Sequence, residues 1–225
     1  MVLKLNRNFA ILYGIMLGDG CLSLVYGRKK YIAIAGSMQD DVPFFETIIK
    51  PILKSLIRKE ATIKFKPKNG AIQLNFVNHS LFDFIKSFGF PVGKKGINLH
   101  IPKIFYEKNL VKHVVRGFFA TDGSLVLTNN NGTLYPRVEA NGISKFLIKE
   151  ISDFLNSKNI NSKFYEAKRK NNHYPNALQQ YRLQINGKKN LKKFVMAIGF
   201  INPKQIEKLN RFMAVKGVEP SITAL

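Results

Sequence analysis

The chain has 225 residues, of which 45% are hydrophobic, so its length and composition allow one large globular domain or two small ones. Its 36 lysines and arginines against 14 aspartates and glutamates give a net charge of +22, and such an excess predicts a polyanionic partner. One cysteine excludes an intramolecular disulfide and a cysteine-rich zinc site, the apolar runs are shorter than the about 20 residues of a membrane span, and no signal peptide is visible. We therefore expect an intracellular protein without membrane contact, in a prokaryote or an organelle.

The first hundred residues predict a helix followed by alternating hairpins and helices. The opening helix is apolar at helical spacing, and Gly20 suits a left-handed cap at its end. The first hairpin turns at "GRK", the second helix begins at the N-cap residue Asp41, and the second hairpin has an Asn-Gly turn. The predicted helices are 7–19, 41–58 and 79–89, and the predicted hairpins are 21–36 and 61–76.

A proline-containing linker, residues 89–105, leads into a second half with the same order of elements. Gly123 and Ser144 take the places of Gly20 and Asp41. The predicted helices are 107–122, 144–158 and 187–198, and the hairpins are 124–140 and 161–186, the latter with a longer loop. We predict an α+β fold of two pseudo-twofold related αββαββα halves, 1–100 and 101–212, in one monomeric chain. The tail 213–225 is unassigned.

The repeat is clearest in one pattern: "LYGIMLGDG" (12–20) recurs as "VRGFFATDG" (115–123). Gly14 and Gly18 are four residues apart, hence on one helix face, and Gly117 and Thr121 occupy the matching places. Small residues at this spacing let two helix backbones approach closely. Two such helices lying side by side would bring together the aspartates that end the patterns, Asp19 and Asp122.

Paired carboxylates at two helix C-termini call for a cation. Each helix end carries about −0.5 charge, and two close carboxylates repel each other. Free carbonyls at Gly18 and Thr121 would add oxygen ligands. Oxygen-only ligands with open positions suit Mg²⁺, with Mn²⁺ as a substitute, completed by phosphate and water. In so basic a chain the phosphate indicates nucleic acid, and metal-activated water would hydrolyse it.

The two patterns resemble the signature motifs of the LAGLIDADG homing endonucleases, in the single-chain form that carries two motifs. The resemblance extends to about residue 212. It implies that Asp19 and Asp122 bind the catalytic divalent metals. The family's earlier acid is absent here, since Leu17 and Ala120 occupy its place, and Arg116 stands where the family often has a small residue.

The resemblance also implies catalytic lysines after the last helix of each half. Aligning "GFPVGKK" (89–95) with "GFINPKQ" (199–205) pairs Lys94 with Lys204, with Lys95 as the alternative in the first half. Such lysines would stabilise the phosphorane or order the attacking water. A polar residue before the second helix often positions water in this family, and Gln39 and Asn141 are the candidates.

The strands predict a basic surface for double-stranded DNA. Antiparallel sheets can bury one face and expose the other, and Arg, Gln and Asn on β-ribbons can read bases in the major groove, while lysines contact phosphates. The candidate DNA-binding residues are Arg28, Lys29, Lys30, Lys64, Lys66, Lys68, Arg137, Lys163, Lys168, Arg169, Lys170, Arg182 and Gln184.

The resemblance thus implies a saddle-shaped sheet surface and a site-specific endonuclease that cuts both strands of an imperfect palindrome with Mg²⁺. Because the family includes RNA maturases, an activity on intron RNA is an alternative. A DNA-binding regulator without cleavage on the same fold is another, which the two intact aspartates argue against.

Overall fold

The structure is a computed structural model, and it describes residues 3–58, 60–167 and 179–214. The described N-terminal half contains helices α1 (Arg7–Asp19), α2 (Val42–Phe44), α3 (Lys50–Ile57) and α4 (His79–Ser87), and strands β1 (Gly20–Val25), β2 (Lys29–Ser37), β3 (Ile63–Lys66) and β4 (Ala71–Val77). The C-terminal half contains α5 (Lys103–Glu107), α6 (Val111–Thr121), α7 (Lys145–Ser157), α8 (Lys188–Ala197) and α9 (Pro203–Ala214), and β5 (Gly123–Asn130), β6 (Thr133–Gly142), β7 (Ser162–Ala167) and β8 (Gln180–Asn186).

The strands form two antiparallel four-stranded sheets of identical topology. The strand order is β1-β2-β4-β3 in the first sheet and β5-β6-β8-β7 in the second. The registers also correspond, because Gly20 pairs with Ile34 in the first sheet and Gly123 pairs with Ala140 in the second. The predicted α+β class with two repeated halves is therefore confirmed.

Each sheet buries one face under helices and leaves the other open. In the first sheet, α1 and α4 contact β2; in the second, α7 and α8 contact β6 and β8. Leu22, Ile34 and Leu74 are fully buried on the covered face of the first sheet, as period-2 alternation requires. Tyr13 of the first motif is also buried, and its hydroxyl donates a hydrogen bond to the Phe88 carbonyl at 3.0 Å.

Several predicted boundaries were wrong. The helix predicted at 107–122 is divided, because Asn109 has a φ of 54° that ends α5 before α6 begins. The helix predicted at 41–58 contains a π-helical turn, Phe45–Ile49, between α2 and α3. Helix α9 was not predicted and takes in residues 213–214 of the unassigned tail.

The expected left-handed caps at Gly20 and Gly123 are also absent. Gly20 has φ −86° and ψ 159°, since the chain passes directly from α1 into β1. A glycine is needed there for space, because a Cβ at Gly20 would lie 2.4 Å from the Met16 Cα and one at Gly123 would lie 2.4 Å from the Phe119 carbonyl oxygen. Strand formation has taken precedence over the helix-capping conformation at both positions.

Arg116, the unexplained departure in the second motif, closes the end of another helix. Its Nε donates to the carbonyl of Ile198, the residue that follows α8. Basic groups are stabilising at helix C-termini.

Among the described helices, none combines the length and apolar character needed to span a bilayer.

Candidate active site at the ends of the paired helices

Helices α1 and α6 pack against each other through their glycines. A Cβ at Gly14 would lie 2.0 Å from the Val114 carbonyl oxygen, and one at Gly117 would lie 2.1 Å from the Ile11 carbonyl oxygen. Real Cβ atoms do not approach backbone this closely, so only glycine permits the contact. The predicted pairing of the two motif helices is what the structure shows.

The C-terminal ends of these two helices meet. A Cβ at Gly18 would lie 2.0 Å from the Thr121 hydroxyl oxygen and 3.3 Å from Oδ2 of Asp122. Asp19 is the last residue of α1, and Asp122 follows the last residue of α6. Both predicted acids therefore stand at one place, between the two sheets that begin at Gly20 and Gly123.

The surroundings of the two aspartates disfavour two negative charges. Burial, and then the neighbouring Asp19 carboxylate, raises the pKa of Asp122 to about 7. The pKa of Asp19 is also raised, by desolvation and by Asp41, while Lys95 and Lys204 act in the opposite direction. Asp19 retains an exposed surface, so of the two carboxylates Asp122 is the one that burial affects most clearly. Desolvation is the larger cause at both carboxylates, so a cation in contact with them would stabilise their ionised forms.

Lys95 closes the end of α1. Its ammonium donates to the carbonyl oxygens of Met16 at 3.3 Å, Leu17 at 3.1 Å, and Gly18. Burial lowers the pKa of Lys95, and the Asp122 and Asp19 carboxylates oppose that shift. The expected free carbonyl of Gly18 is therefore already bound by a cation, which is a correction to its assignment as an open metal ligand.

Lys94 lies elsewhere. It is exposed and lines a cavity together with Tyr13 and Phe88, whereas Lys95 is the lysine at the helix end. At the α1 end the structure thus places Lys95, the alternative in the first half, while the catalytic role of the lysines stays a prediction. The loop after α4 presents the neighbouring lysine to the helix end, an orientation that alignment alone does not give.

At the C-terminal end of α6, neutral side chains donate to the backbone carbonyls, as Lys95 does at the end of α1. Asn202 Nδ2 donates to the Ala120 carbonyl at 2.8 Å. Gln205 Nε2 donates to the carbonyls of Phe119 at 2.7 Å and Gly123 at 2.8 Å. Sequence reasoning missed both residues, although Gln205 aligns with Lys95 in the segments "GFPVGKK" and "GFINPKQ".

Lys204 reaches from the C-terminal half to the N-terminal half. Its ammonium lies 2.7 Å from Oδ1 of Asp41, and its charge acts on Asp19. Asp41 stands at the predicted N-cap position, but its carboxylate accepts from the Ser37 backbone N–H and makes no bond to its own helix. Ser144 does cap α7, through the Leu147 N–H.

The two polar candidates occupy different places. Asn141 is in β6 and lines a cavity of about 320 Å³ beside Asp122, with Gly18 and Lys95. Its side-chain oxygen accepts from the Arg182 Nε at 2.9 Å. Gln39 is exposed in the turn after β2 and is not the structural counterpart of Asn141.

Most described residues of the predicted DNA surface lie on the open faces or at the turns. Strand register and alternation place seven of them on the open faces, namely Lys29, Lys64, Lys66, Arg137, Lys163, Arg182 and Gln184. Arg28 lies in the turn between β1 and β2, and Lys68 lies in the 3-10 turn Pro67–Asn69 between β3 and β4. Lys30 was wrongly assigned, because it faces the helix layer, where its ammonium binds Asp83 of α4. Lys168, Arg169 and Lys170 lie outside the described residues.

The two carboxylates at the helix ends fit a hard divalent cation. The described residues contain no group of three or more His, Cys, Asp or Glu side chains able to hold a metal. Two carboxylates are enough for Mg²⁺, which commonly takes one or two carboxylates together with phosphate and water. The raised pKa of Asp122, which burial and the Asp19 carboxylate cause, is a further reason why a cation would be stabilised here.

Solved structures with the same fold are homing endonucleases. I-DmoI in complex with DNA and Ca has a TM-score of 0.60 at 15% identity, over 91% of this chain and 97% of that one. I-WcaI bound to its DNA recognition sequence has a TM-score of 0.60 at 14% identity, over 93% and 88%. I-AabMI bound to uncleaved DNA has a TM-score of 0.58 at 15% identity, over 95% and 91%. The fold class is therefore that of a single-chain homing endonuclease.

A similarity to one family is found in the sequence as well. Residues 109–199 match the LAGLIDADG-like domain, and that range contains the second motif. A search of curated protein sequences found no match. The resemblance to the LAGLIDADG homing endonucleases, drawn from the two motifs, is confirmed.

Proposed function

We propose that this protein is a site-specific endonuclease that hydrolyses phosphodiesters on both strands of double-stranded DNA with Mg²⁺. The observation that carries the proposal is the meeting of Asp19 and Asp122 at the ends of two glycine-packed helices. These aspartates lie where one sheet and then the other begins, so DNA lying on the two open faces would pass over them. The net charge of +22 supports a polyanionic substrate.

Asp19 and Asp122 would hold the divalent cation, together with phosphate oxygens and water. When bound, the cation lowers the pKa of a water ligand and offsets charge on the phosphate. Thr121 would contribute its carbonyl. We do not assign this role to Gly18, because its carbonyl accepts a hydrogen bond from Lys95.

The two lysines would serve the two halves of the site differently. Lys204 stands near Asp19 and is held by Asp41, while Lys95 stands between the α1 end and Asp122. An ammonium in either place can stabilise the charge that develops on the phosphate. Asn141, beside Asp122, is placed to orient water in the second half. Gln39 is the candidate in the first half, on the turn that precedes α2.

The open sheet faces would bind DNA. Their lysines suit phosphate contacts, and their arginine, glutamine and asparagine side chains suit base edges in the major groove. The similar structures named above are bound to DNA, which supports DNA as the substrate; no observation favours the RNA alternative. Because the halves differ in sequence, the target would be an imperfect palindrome bound by one chain.

The test is cleavage of a DNA library with a randomised core. Fragments cut by the purified chain are sequenced, with Mg²⁺ and with a chelator. The proposal expects a recurrent site that is cut on both strands only with the metal. Absence of a recurrent site, or cleavage that persists in chelator, would overturn it.

A further inference from the structure

The two sheets have the same strand register, so each central position on the open face of one sheet has a counterpart on the other. Ile34 pairs with Gly20 and Leu74, and its counterpart Ala140 pairs with Gly123 and Leu183. Counting outward from these anchors gives six central matched pairs, with the N-terminal residue first: Tyr31 and Arg137, Ala33 and Glu139, Ala35 and Asn141, Gln73 and Arg182, Asn75 and Gln184, and Val77 and Asn186. Every C-terminal member has a polar side chain.

Five of the six C-terminal members are held by side-chain hydrogen bonds, in two separate groups. Arg137 Nε donates to Oε2 of Glu139 at 2.9 Å, and Gln184 Nε2 donates to the same oxygen at 3.3 Å. Arg182 Nε donates to Oδ1 of Asn141 at 2.9 Å. In both arginines the Nε is the anchored atom, so the guanidinium plane is fixed, and among the described residues the terminal amino groups remain available for a ligand.

Glu139 indicates that the group it forms with Arg137 and Gln184 faces bases. The chain has only 14 acidic residues, and a carboxylate on a surface that binds phosphates is repelled by them. Its side chain is 16% exposed and holds Arg137, so its effect is to orient an arginine. Arginine with two free parallel donors pairs with O6 and N7 of guanine, the commonest specific contact in the major groove.

The N-terminal face offers far fewer groups for reading bases. Ala33, Ala35 and Val77 have no donors or acceptors in their side chains. Oε1 of Gln73 accepts from Lys66 at 2.6 Å, and Oδ1 of Asn75 is buried without a partner among the described residues. The charged members of this face are Lys29, Lys64 and Lys66, whose flexible ammonium groups suit phosphates.

We propose that the C-terminal sheet determines sequence specificity. Its half-site requires G·C pairs opposite Arg137 and Arg182, whereas the N-terminal half-site is held mainly through its backbone and tolerates base changes. This inference rests on the proposed endonuclease function. It goes beyond that function by assigning the stringent part of the target to one sheet.

The test is a binding selection with the full-length chain on duplexes of randomised core, in Ca²⁺, followed by sequencing. The expected result is one half-site with nearly invariant G·C pairs and one degenerate half-site. Arg137→Lys and Arg182→Lys keep the charge and remove the planar fork, so each should reduce the preference at one G·C pair by about 5- to 150-fold. The salt dependence of binding should not change. The matched controls Tyr31→Phe and Gln73→Ala should leave the selected sequences unchanged.

The outcomes separate the two proposals. If the wild-type chain selects two half-sites of equal stringency, or if the two controls relax the invariant pairs, this inference is overturned while the endonuclease function stands. If the chain selects no duplex sequence at all, the proposed function fails and the inference fails with it. Thermal unfolding of each variant shows that a change in preference does not come from misfolding.

Discussion

The ammonium of Lys204 lies 2.7 Å from Oδ1 of Asp41, and this ion pair joins the two halves of the chain beside Asp19. Oδ2 of Asp41 accepts from the Ser37 N–H at 2.9 Å, so the carboxylate is anchored on the N-terminal side. Its side chain is 13% exposed. The pair therefore fixes the lysine relative to one carboxylate of the candidate metal site.

Replacing Lys204 should uncouple the cleavage of the two DNA strands. Lys204→Met removes a positive charge that acts on Asp19 and not on Asp122. We therefore expect one strand to be cut about 100- to 1,000-fold more slowly, so that nicked DNA accumulates. Asp41→Asn keeps an acceptor for the Ser37 N–H but weakens the contact with the Lys204 ammonium. Cleavage of the same strand should therefore slow by a smaller factor. Cleavage of duplexes labelled on either strand measures both effects. The exposed Lys208→Met on the same helix is the control, and equal slowing of both strands by Lys204→Met would contradict the assignment.

Replacing Lys95 should reduce DNA cleavage, whereas replacing its neighbour Lys94 in the loop after α4 should not. Lys95→Met removes the ammonium that donates to three carbonyls at the α1 end, and with it a positive charge beside Asp122. Cleavage should fall steeply, and the acidic limb of the pH–rate profile should move to higher pH, because Lys95 lowers the pKa of Asp122. Lys94→Met is the matched control and should cut as the wild type does. A larger loss in Lys94→Met than in Lys95→Met would mean that the alignment, not the structure, identifies the lysine.

The raised pKa of Asp122 should make the free energy of unfolding depend on pH. The pKa of Asp122 is about 7 in the folded chain, and an unfolded aspartate has a pKa of about 3.9. Between these values the folded state binds the proton more tightly, so the free energy of unfolding of the metal-free chain should fall as pH rises from about 4 to about 7. Asp122→Asn should remove this part of the slope and should raise the melting temperature at pH 8. Urea unfolding across this range measures it, with the exposed Asp153→Asn as control; an unchanged slope in Asp122→Asn would contradict the raised pKa.

The glycine contacts should tolerate no Cβ. A Cβ at Gly117 would lie 2.1 Å from the Ile11 carbonyl oxygen, which is backbone and cannot move alone. We expect Gly117→Ala to cost at least the upper part of the about 1–3 kcal/mol that overpacking costs, measured by urea unfolding. Gly96→Ala is the control, because a Cβ there meets nothing within 4 Å. Wild-type stability in Gly117→Ala would show that the helices do not pack as described.

Sequence periodicity and the internal repeat were sufficient for most of the fold. The Gly14 and Gly117 spacing predicts a close helix pair, and that pairing then places Asp19 beside Asp122. Helix α9 was not predicted, because the repeat gives no second copy of it after the last helix of the first half. The break at Asn109 depends on a single positive φ, which composition does not reveal.

Site residues on loops were harder to predict than those on the repeated helices. Choosing between Lys94 and Lys95 depends on the path of the loop, and both have the same chemistry. Asn202 and Gln205 were missed because they bind backbone carbonyls, and carbonyl positions leave no pattern in the sequence. Lys30 was misassigned because a one-residue difference in register turns a strand residue to the opposite face.

The central claim is that Asp19 and Asp122 jointly hold the cation that cuts DNA. The most direct test measures Mg²⁺-dependent cleavage and DNA binding for Asp19→Asn and Asp122→Asn, on the target that the library selects. We predict that each variant binds this DNA with near wild-type affinity and cuts neither strand at a detectable rate, while the exposed Asp153→Asn remains fully active. Double-strand cleavage at the wild-type rate by either aspartate variant would contradict the account.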